Sequence, residues 1–160
     1  MIPILYEASA TDFSTFGIGA LADCVSCEVT EERNGAFECK LKYPTSGALF
    51  AELKKERIIK AQPNDTSKPQ AFRIYRITVP INGTVTVYAQ HISYDLANVG
   101  VTPFSLSAVS PTQAIDTVLN NTVIPHNFTF QTDYSQAKDF KVETPKSVSY
   151  THLTLPTIRL

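Results

Sequence analysis

The sequence predicts an α+β, β-rich fold, with an antiparallel sheet in the first ninety or so residues and a small α/β segment after it. Apolar and polar residues alternate along Phe37–Tyr43, which is typical of a half-buried strand. Two β-rich runs flank an Asn-Gly dipeptide at 82–83, and a capped amphipathic helix begins at Ser110. With 160 residues and 43% hydrophobic content, the chain can form one ordinary domain or two small ones.

The first 45 residues are predicted to form strands. The runs ADCVSCEVTEE and FECKLKY carry β-branched, aromatic and alternating residues, and Arg33-Asn34-Gly35 between them predicts a tight turn. After Pro44, the spacing of Leu49, Phe50 and Leu53 predicts a short helix with Ser46 as its N-cap, ending near Glu56.

The next predicted elements are a strand at IIKA, an exposed proline-containing loop and a hairpin. AFRIYRITVP and TVTVYAQH are joined around Ile81–Thr84, where Asn-Gly accepts positive φ at both central positions of the turn. ISYDLANVG is predicted to begin a helical turn that Gly100 ends, and VTPFSLSAVS is predicted to be a loop.

A helix over SPTQAIDTVLNNT is the best-marked element of the second half. Ser110 caps it, Pro111 occupies its first position, and its buried stripe is Ala114, Ile115, Val118 and Leu119. NFTFQTD alternates as a strand, and the segment up to Pro145 is polar and partly extended.

Three cysteines, Cys24, Cys27 and Cys39, form a C-x-x-C followed by a third thiol. Such spacing suggests zinc or redox chemistry. If ADCVSCEVTEE is a strand, however, residues three apart point to opposite faces, so Cys24 and Cys27 would not share an ion. We expect neither a metal nor a cofactor.

Charge and hydropathy exclude several classes of partner. Fourteen basic and fifteen acidic side chains give a net charge of −1 without a basic run, so we expect no nucleic-acid partner. No stretch approaches the roughly 20 apolar residues of a membrane-spanning helix, so we expect no membrane association.

The stretch VYAQHISYDLAN places His91, Ser93, Tyr94 and Asp95 within five positions, and these residue types occur in nucleophilic active sites. On a strand, His91 and Ser93 would be about 7 Å apart at their Cα atoms, and on a helix they would diverge. Ser93 also lacks the glycine-flanked elbow of an exposed nucleophile. We predict no catalytic residue here, but a structural corner between the hairpin and the following helical turn.

Several of these segments resemble a known family. The strand QAFRIYRI, with Phe72, Arg73 and Tyr75, and the junction around His91, Ser93, Tyr94 and Asp95 are its specific parts. Over about residues 1–147 the chain resembles the N-terminal tail-tip hub region of phage minor structural proteins, the tail-associated or prophage endopeptidase tail proteins.

The resemblance implies a β-barrel-like hub domain over 1–91 with one inserted helix, and a small α/β segment over 92–147 that begins the next hub domain. It implies a homotrimer that continues the tail tube at the virion tail tip, alongside the distal tail and tape measure proteins, after assembly in the bacterial host cytoplasm. Many family members carry a peptidase or glycosidase in a long C-terminal region, but no residue here matches it, so we expect no enzyme activity.

Residues 148–160 break the pattern of the preceding chain. SYTHLTLPT resembles a peptide found at the ends of unrelated conceptual translations, so we expect an unstructured or artefactual tail and a truncated gene product. Two other functions stay open at this stage: a tail-associated peptidoglycan hydrolase and a stand-alone carbohydrate-binding module.

Overall fold

The computed structural model describes residues 1–32, 35–126, 128–129, 132, 134–143 and 146–147, the last two by their backbone alone. The chain divides into two units, Met1–Ile92 and the part from Ser93 onward. The predicted turn at Arg33-Asn34 and the tail over 148–160 lie outside the described residues.

The first unit is built on one curled, seven-stranded antiparallel sheet. Its strands follow the order β2-β1-β5-β6-β7-β4-β3. Their bounds are β1 (Ile4–Tyr6), β2 (Gly19–Ala20), β3 (Ser26–Glu31), β4 (Phe37–Pro44), β5 (Ile58–Ala61), β6 (Gln70–Ile77) and β7 (Thr84–His91). This half-barrel, followed by a segment with a short helix, confirms the predicted β-rich, barrel-like α+β fold.

The sheet is curled around a core supplied by alternating residues. In β4 the side chains of Cys39, Leu41 and Tyr43 are buried, whereas Lys40 and Lys42 between them are exposed. Strand β7 shows the same period of two and lies between β4 and β6. Because one face of each strand is buried, a slip of one residue would expose the whole apolar set, and this fixes the register.

The β6–β7 hairpin has the predicted turn. Asn82 and Gly83 have φ angles of 50° and 70°, and Ile81 pairs with Thr84 across them. Two central residues with positive φ match the right-handed twist of the flanking strands. The Asn-Gly dipeptide therefore sets the register of the central hairpin.

The predicted helix over residues 46–56 is wrong. Only a 3₁₀ turn, Phe50–Glu52, forms there, and it has no side-chain cap at Leu49. Distant side chains hold the preceding backbone instead: the Ala48 amide donates to Asp23 Oδ2 at 2.9 Å, and the Leu49 amide donates to the Tyr43 hydroxyl at 3.2 Å. These tertiary bonds occupy the amides that a helix would begin with.

The second unit contains a 3₁₀ helix, an α-helix and short strands. They are the 3₁₀ helix Ile92–Asn98, all but the first residue of which belongs to this unit, β8 (Gly100–Val101), β9 (Phe104–Val109), α1 (Pro111–Asn120), β10 (Lys138–Val142) and β11 (Lys146–Ser147). Strand β9 pairs with β10, and β8 pairs with β11, both antiparallel. The helical turn expected before Gly100 is present as the 3₁₀ helix.

Helix α1 forms as predicted, with a complete capping box. The Ser110 hydroxyl accepts from the Gln113 amide, and the Gln113 side chain accepts from the Ser110 amide. Ala114, Ile115, Val118 and Leu119 are its buried residues, as expected from their spacing.

The loop predicted over 101–110 is not met, and the strand predicted over 127–133 falls mostly on positions outside the described residues. The predicted loop over 101–110 contains the last residue of β8 and all of β9, and β9 pairs with β10, some thirty residues further along the chain. In the predicted strand over 127–133, the described residues Phe128, Thr129 and Thr132 lie outside any strand. Phe128 instead packs against the core of this unit.

No helix among the described residues is long and apolar enough to cross a membrane.

Candidate functional site

The corner predicted from the sequence is centred on His91, the last residue of β7. Its side chain is only 4% exposed, and its ring stacks on Phe37 at 4.5 Å between centroids. The Phe72 ring, opposite His91 in the β6–β7 register, meets the imidazole edge-on at 5.6 Å. His91 Nε2 lies 3.2 Å from Gln70 Oε1. These contacts make His91 a packed residue at the end of the sheet.

The remaining residues of the predicted cluster lie in the second unit. Ser93, Tyr94 and Asp95 belong to the 3₁₀ helix Ile92–Asn98, in which Leu96 is the buried residue. An imidazole enclosed by two phenyl rings has little room for a substrate, so the arrangement around His91 is suited to packing rather than to proton transfer.

The outer face of the hairpin carries aromatic and cationic side chains. A register shift between Ile74 and Arg76 leaves Tyr75 as an extra residue in β6, and both Tyr75 and Arg76 are exposed. The Arg76 guanidinium carbon lies 4.0 Å above the Tyr88 ring, and the Tyr75 and Tyr88 rings are 6.3 Å apart. A bulge of this kind re-aims side chains, and here it creates a small aromatic and cationic patch.

Two arginines tie the N-terminal segment to the sheet. Arg73 Nη1 donates to the carbonyls of Ala8 and Glu56, at 2.9 and 2.8 Å. Arg57 bonds the Glu52 carboxylate and lies 3.1 Å from Glu7 Oε1. The hydrogen bond from Arg57 holds the pKa of Glu52 below its usual range.

A second small core lies under this N-terminal segment. Tyr6, Ile58 and Ala71 are buried there, and Phe13 packs edge-on against Tyr6 at 5.2 Å. The Tyr6 hydroxyl donates to the carbonyls of Phe13 and Thr15. This end of the sheet is therefore covered by the chain's own first residues.

The three cysteines lie together at the other end of the sheet. Cys24 precedes β3, and all three thiols pack in or against the main core. The expectation that Cys24 and Cys27 face apart on one strand is therefore wrong, because β3 begins only at Ser26. Cys27 Sγ lies 3.5 Å from Cys39 Sγ on the neighbouring strand. Within the described part of the chain, no group of three or more His, Cys, Asp or Glu side chains could hold a metal ion.

Exposed apolar side chains of the first unit form a surface whose position was not predicted from the sequence. Val79 and Ile81, at the tip of the β6–β7 hairpin, are 79% and 68% exposed, and Phe16 is 79% exposed. We call Val79 and Ile81 the hairpin tip. In the sequence, apolar residues flank a proline next to the Asn-Gly turn. This pattern could have predicted the hairpin tip.

The two edges of the seven-stranded sheet differ in length. Strand β2 has two residues, whereas β3 has six and, within the described part of the chain, pairs on one side only, with β4. Glu28 and Glu31 are exposed on β3. Charged side chains on an open edge limit unselective pairing with other strands.

Comparison with known proteins identifies a fold and no family. No protein-family model matches the sequence, and no curated protein sequence matches it. The structure is similar to that of a prophage tail protein, gp18 from Listeria monocytogenes EGD-e, with a TM-score of 0.61 and 12% sequence identity. The alignment covers 94% of this chain but only 44% of that protein. At this identity the likeness shows the fold alone.

Proposed function

We propose that the chain is a structural component of a bacteriophage or prophage tail tip, where it contributes to the baseplate hub that continues the tail tube. The observation that carries this proposal is the structural likeness to a prophage tail protein over 94% of the chain. The resemblance in the β6 strand and in the junction after β7 points the same way.

The exposed surface of the first unit supports an assembly role. A ring of identical subunits needs two different patches on each subunit, and such patches are apolar when the subunit is alone. The hairpin tip and Phe16 provide exposed apolar side chains on separate loops of this unit. On this proposal the chain forms a homotrimer and contacts the distal tail and tape measure proteins at the virion tail tip, after assembly in the host cytoplasm.

The proposed role is non-catalytic within these residues. Burial of His91 between Phe37 and Phe72 supports this, since its imidazole is only 4% exposed. A peptidoglycan hydrolase that used His91 or Asp95 would digest cell-wall material and lose this activity when either residue is replaced. We expect no digestion by the unaltered chain, and clear turnover would contradict the proposal.

A second candidate, a carbohydrate-binding module, is favoured by one observation. Tyr75 and Tyr88 present neighbouring rings beside Arg76 on the outer face of the hairpin. Aromatic rings at a surface can stack on sugars, so a stable monomer that binds cell-wall glycans, and loses them on Tyr75→Ala, would favour this function.

Light scattering over a concentration series tests the assembly role. We expect the chain to reach the mass of a trimer, and the double substitution Val79→Ser/Ile81→Ser to shift it toward the monomer. The matched control is Val123→Ser/Ile124→Ser, which replaces two apolar residues of the second unit that are 63% and 53% exposed. A chain that stays monomeric at every concentration, or a control that dissociates equally, would overturn the proposed interface.

A further inference from the structure

We propose that Cys27 and Cys39 form a reversible disulfide that fastens the edge strand β3 to β4. Their sulfur atoms are already 3.5 Å apart, in hydrogen-bonding contact across the two strands. The inference rests on the thiols alone and does not depend on a role in phage tails.

The strand register favours a disulfide between Cys27 and Cys39 over one between the two cysteines of the C-x-x-C motif. In the β3–β4 register, Cys27 lies opposite Leu41 and Cys39 lies opposite Val29, so the two cysteines are diagonal neighbours on one face. Cys24 lies before the strand begins. In an unfolded chain, loop closure would instead favour the three-residue separation of Cys24 and Cys27 over the twelve-residue separation of Cys27 and Cys39.

The two thiols differ in a way that suits stepwise oxidation. The hydrogen bond from the Cys39 thiol lowers the pKa of Cys27 and correspondingly raises the pKa of Cys39. Cys27 is also only half-buried on an open edge strand, whereas Cys39 is 1% exposed. Of these two, Cys27 is therefore the thiol that an oxidant reaches first, and it reacts as a thiolate.

A low-molecular-weight disulfide such as glutathione disulfide is the oxidant that we propose. The Cys27 thiolate attacks one glutathione sulfur, which forms a mixed disulfide and releases one glutathione thiolate. That released thiolate takes the proton of Cys39, and the Cys39 thiolate attacks the Cys27 sulfur and releases the second glutathione as a thiolate, which takes up the proton that Cys27 had lost. Two protein thiols are oxidised by two electrons, and one glutathione disulfide is reduced to two glutathiones.

Diagonal placement makes the bond reversible. Diagonal residues on paired strands are about 7–8 Å apart at their Cα atoms, which exceeds the usual span of a disulfide. The backbone around Cys27 must shift along β4 for the bond to close, and nothing in the described sheet pairs with the other side of β3 to hold it in place. A strained disulfide is more easily reduced than a relaxed one.

The test is oxidation of the native full-length chain by glutathione disulfide, followed by acid quenching, alkylation and peptide mapping. We expect free thiols to fall from three to one, with Cys27 linked to Cys39 and Cys24 alkylated, and full recovery of three thiols under excess glutathione. In denaturant, the same reagent should link Cys24 to Cys27 instead.

Two variants check the order of events. Cys24→Ser should still lose both remaining thiols, whereas Cys39→Ser should stop at a glutathione adduct on Cys27. The mapping of the unaltered chain decides the question even if Cys39→Ser fails to fold. Three surviving thiols in the native chain, or a native Cys24–Cys27 link, would overturn the proposal.

Discussion

The two units of the chain bury their apolar residues in different ways. Among the described residues, the main core of the first unit contains thirteen buried side chains, drawn from strands and loops across the whole sheet. The core of the second unit contains five, and three of them belong to helix α1. The first core depends on pairing between distant strands, whereas the second depends on one helix and its cap.

This difference predicts unequal local stability. Elements with many buried apolar contacts open only with the whole structure, whereas those with few open locally. Strands β4, β6 and β7 are central in the sheet and supply most of its buried residues. We therefore expect their amides to exchange more slowly with solvent than those of α1.

The largest effect is expected from Phe72→Ala. Phe72 is fully buried in β6 and contacts the rings of Phe37 and His91, so its removal leaves a cavity that flanking strands cannot easily fill. Loss of a buried phenyl ring costs about 3–5 kcal/mol of unfolding free energy. Denaturant unfolding followed by tyrosine fluorescence measures it. Val79→Ala, at a side chain 79% exposed, is the control and should change stability little.

A smaller effect, confined to the second unit, is expected from Ile115→Ala. Ile115 is 1% exposed in α1, but its core is small and can partly collapse around the missing atoms. We expect a loss of about 2 kcal/mol, near the lower end of the range for such truncations. Hydrogen exchange read by mass spectrometry should show faster exchange in α1 and little change in β4. Equal acceleration in both would contradict the contrast between the units.

The elements that the sequence predicted correctly are those specified by neighbouring residues. The β6–β7 hairpin follows from Asn82-Gly83 and from alternation on each side, and α1 follows from Ser110, Pro111 and Gln113. In both cases the turn or cap lies within a few residues of what it determines.

The failures occur where a distant partner decides the local structure. Helical spacing over 46–56 was overridden by Asp23 and Tyr43, which bond the amides of Ala48 and Leu49. Strand β9 was missed because its partner, β10, lies about thirty residues away. The C-x-x-C spacing suggested that Cys24 and Cys27 would act as a pair. The strand register instead places Cys27 next to Cys39. The contacts of His91 likewise depend on Phe37 and Gln70, far away in the sequence.

The cap of α1 provides a third test of the contrast. Ser110→Ala removes the acceptor for the Gln113 amide and should cost about 1 kcal/mol of unfolding free energy. Ser110→Asn is the matched control, because asparagine caps as well as serine does. Hydrogen exchange at the first turn of α1 should rise in the alanine variant alone. A cap effect that spread into the seven-stranded sheet would mean that the two units unfold together.

The smallest predicted effect is electrostatic and belongs to the first unit. The hydrogen bond from Arg57 lowers the pKa of Glu52 in the folded chain. A carboxylate whose folded pKa is depressed stabilises the fold above its unfolded pKa, and this contribution is lost as the pH falls through the folded value. Glu52→Gln should therefore flatten the acid limb of Tm against pH and lower Tm slightly at neutral pH.

Because the Glu52 side chain is 39% exposed, solvent and salt screen this pair, and the change should fade as ionic strength rises. Glu28→Gln replaces an exposed carboxylate of β3 and is the control for the lost charge. The loss of this stabilisation should appear as faster amide hydrogen exchange around Arg57 and not in α1. If Glu52→Gln and Glu28→Gln give the same pH profile, the Arg57–Glu52 pair contributes nothing specific, and the greater stability expected of the first unit would have to come from its apolar core.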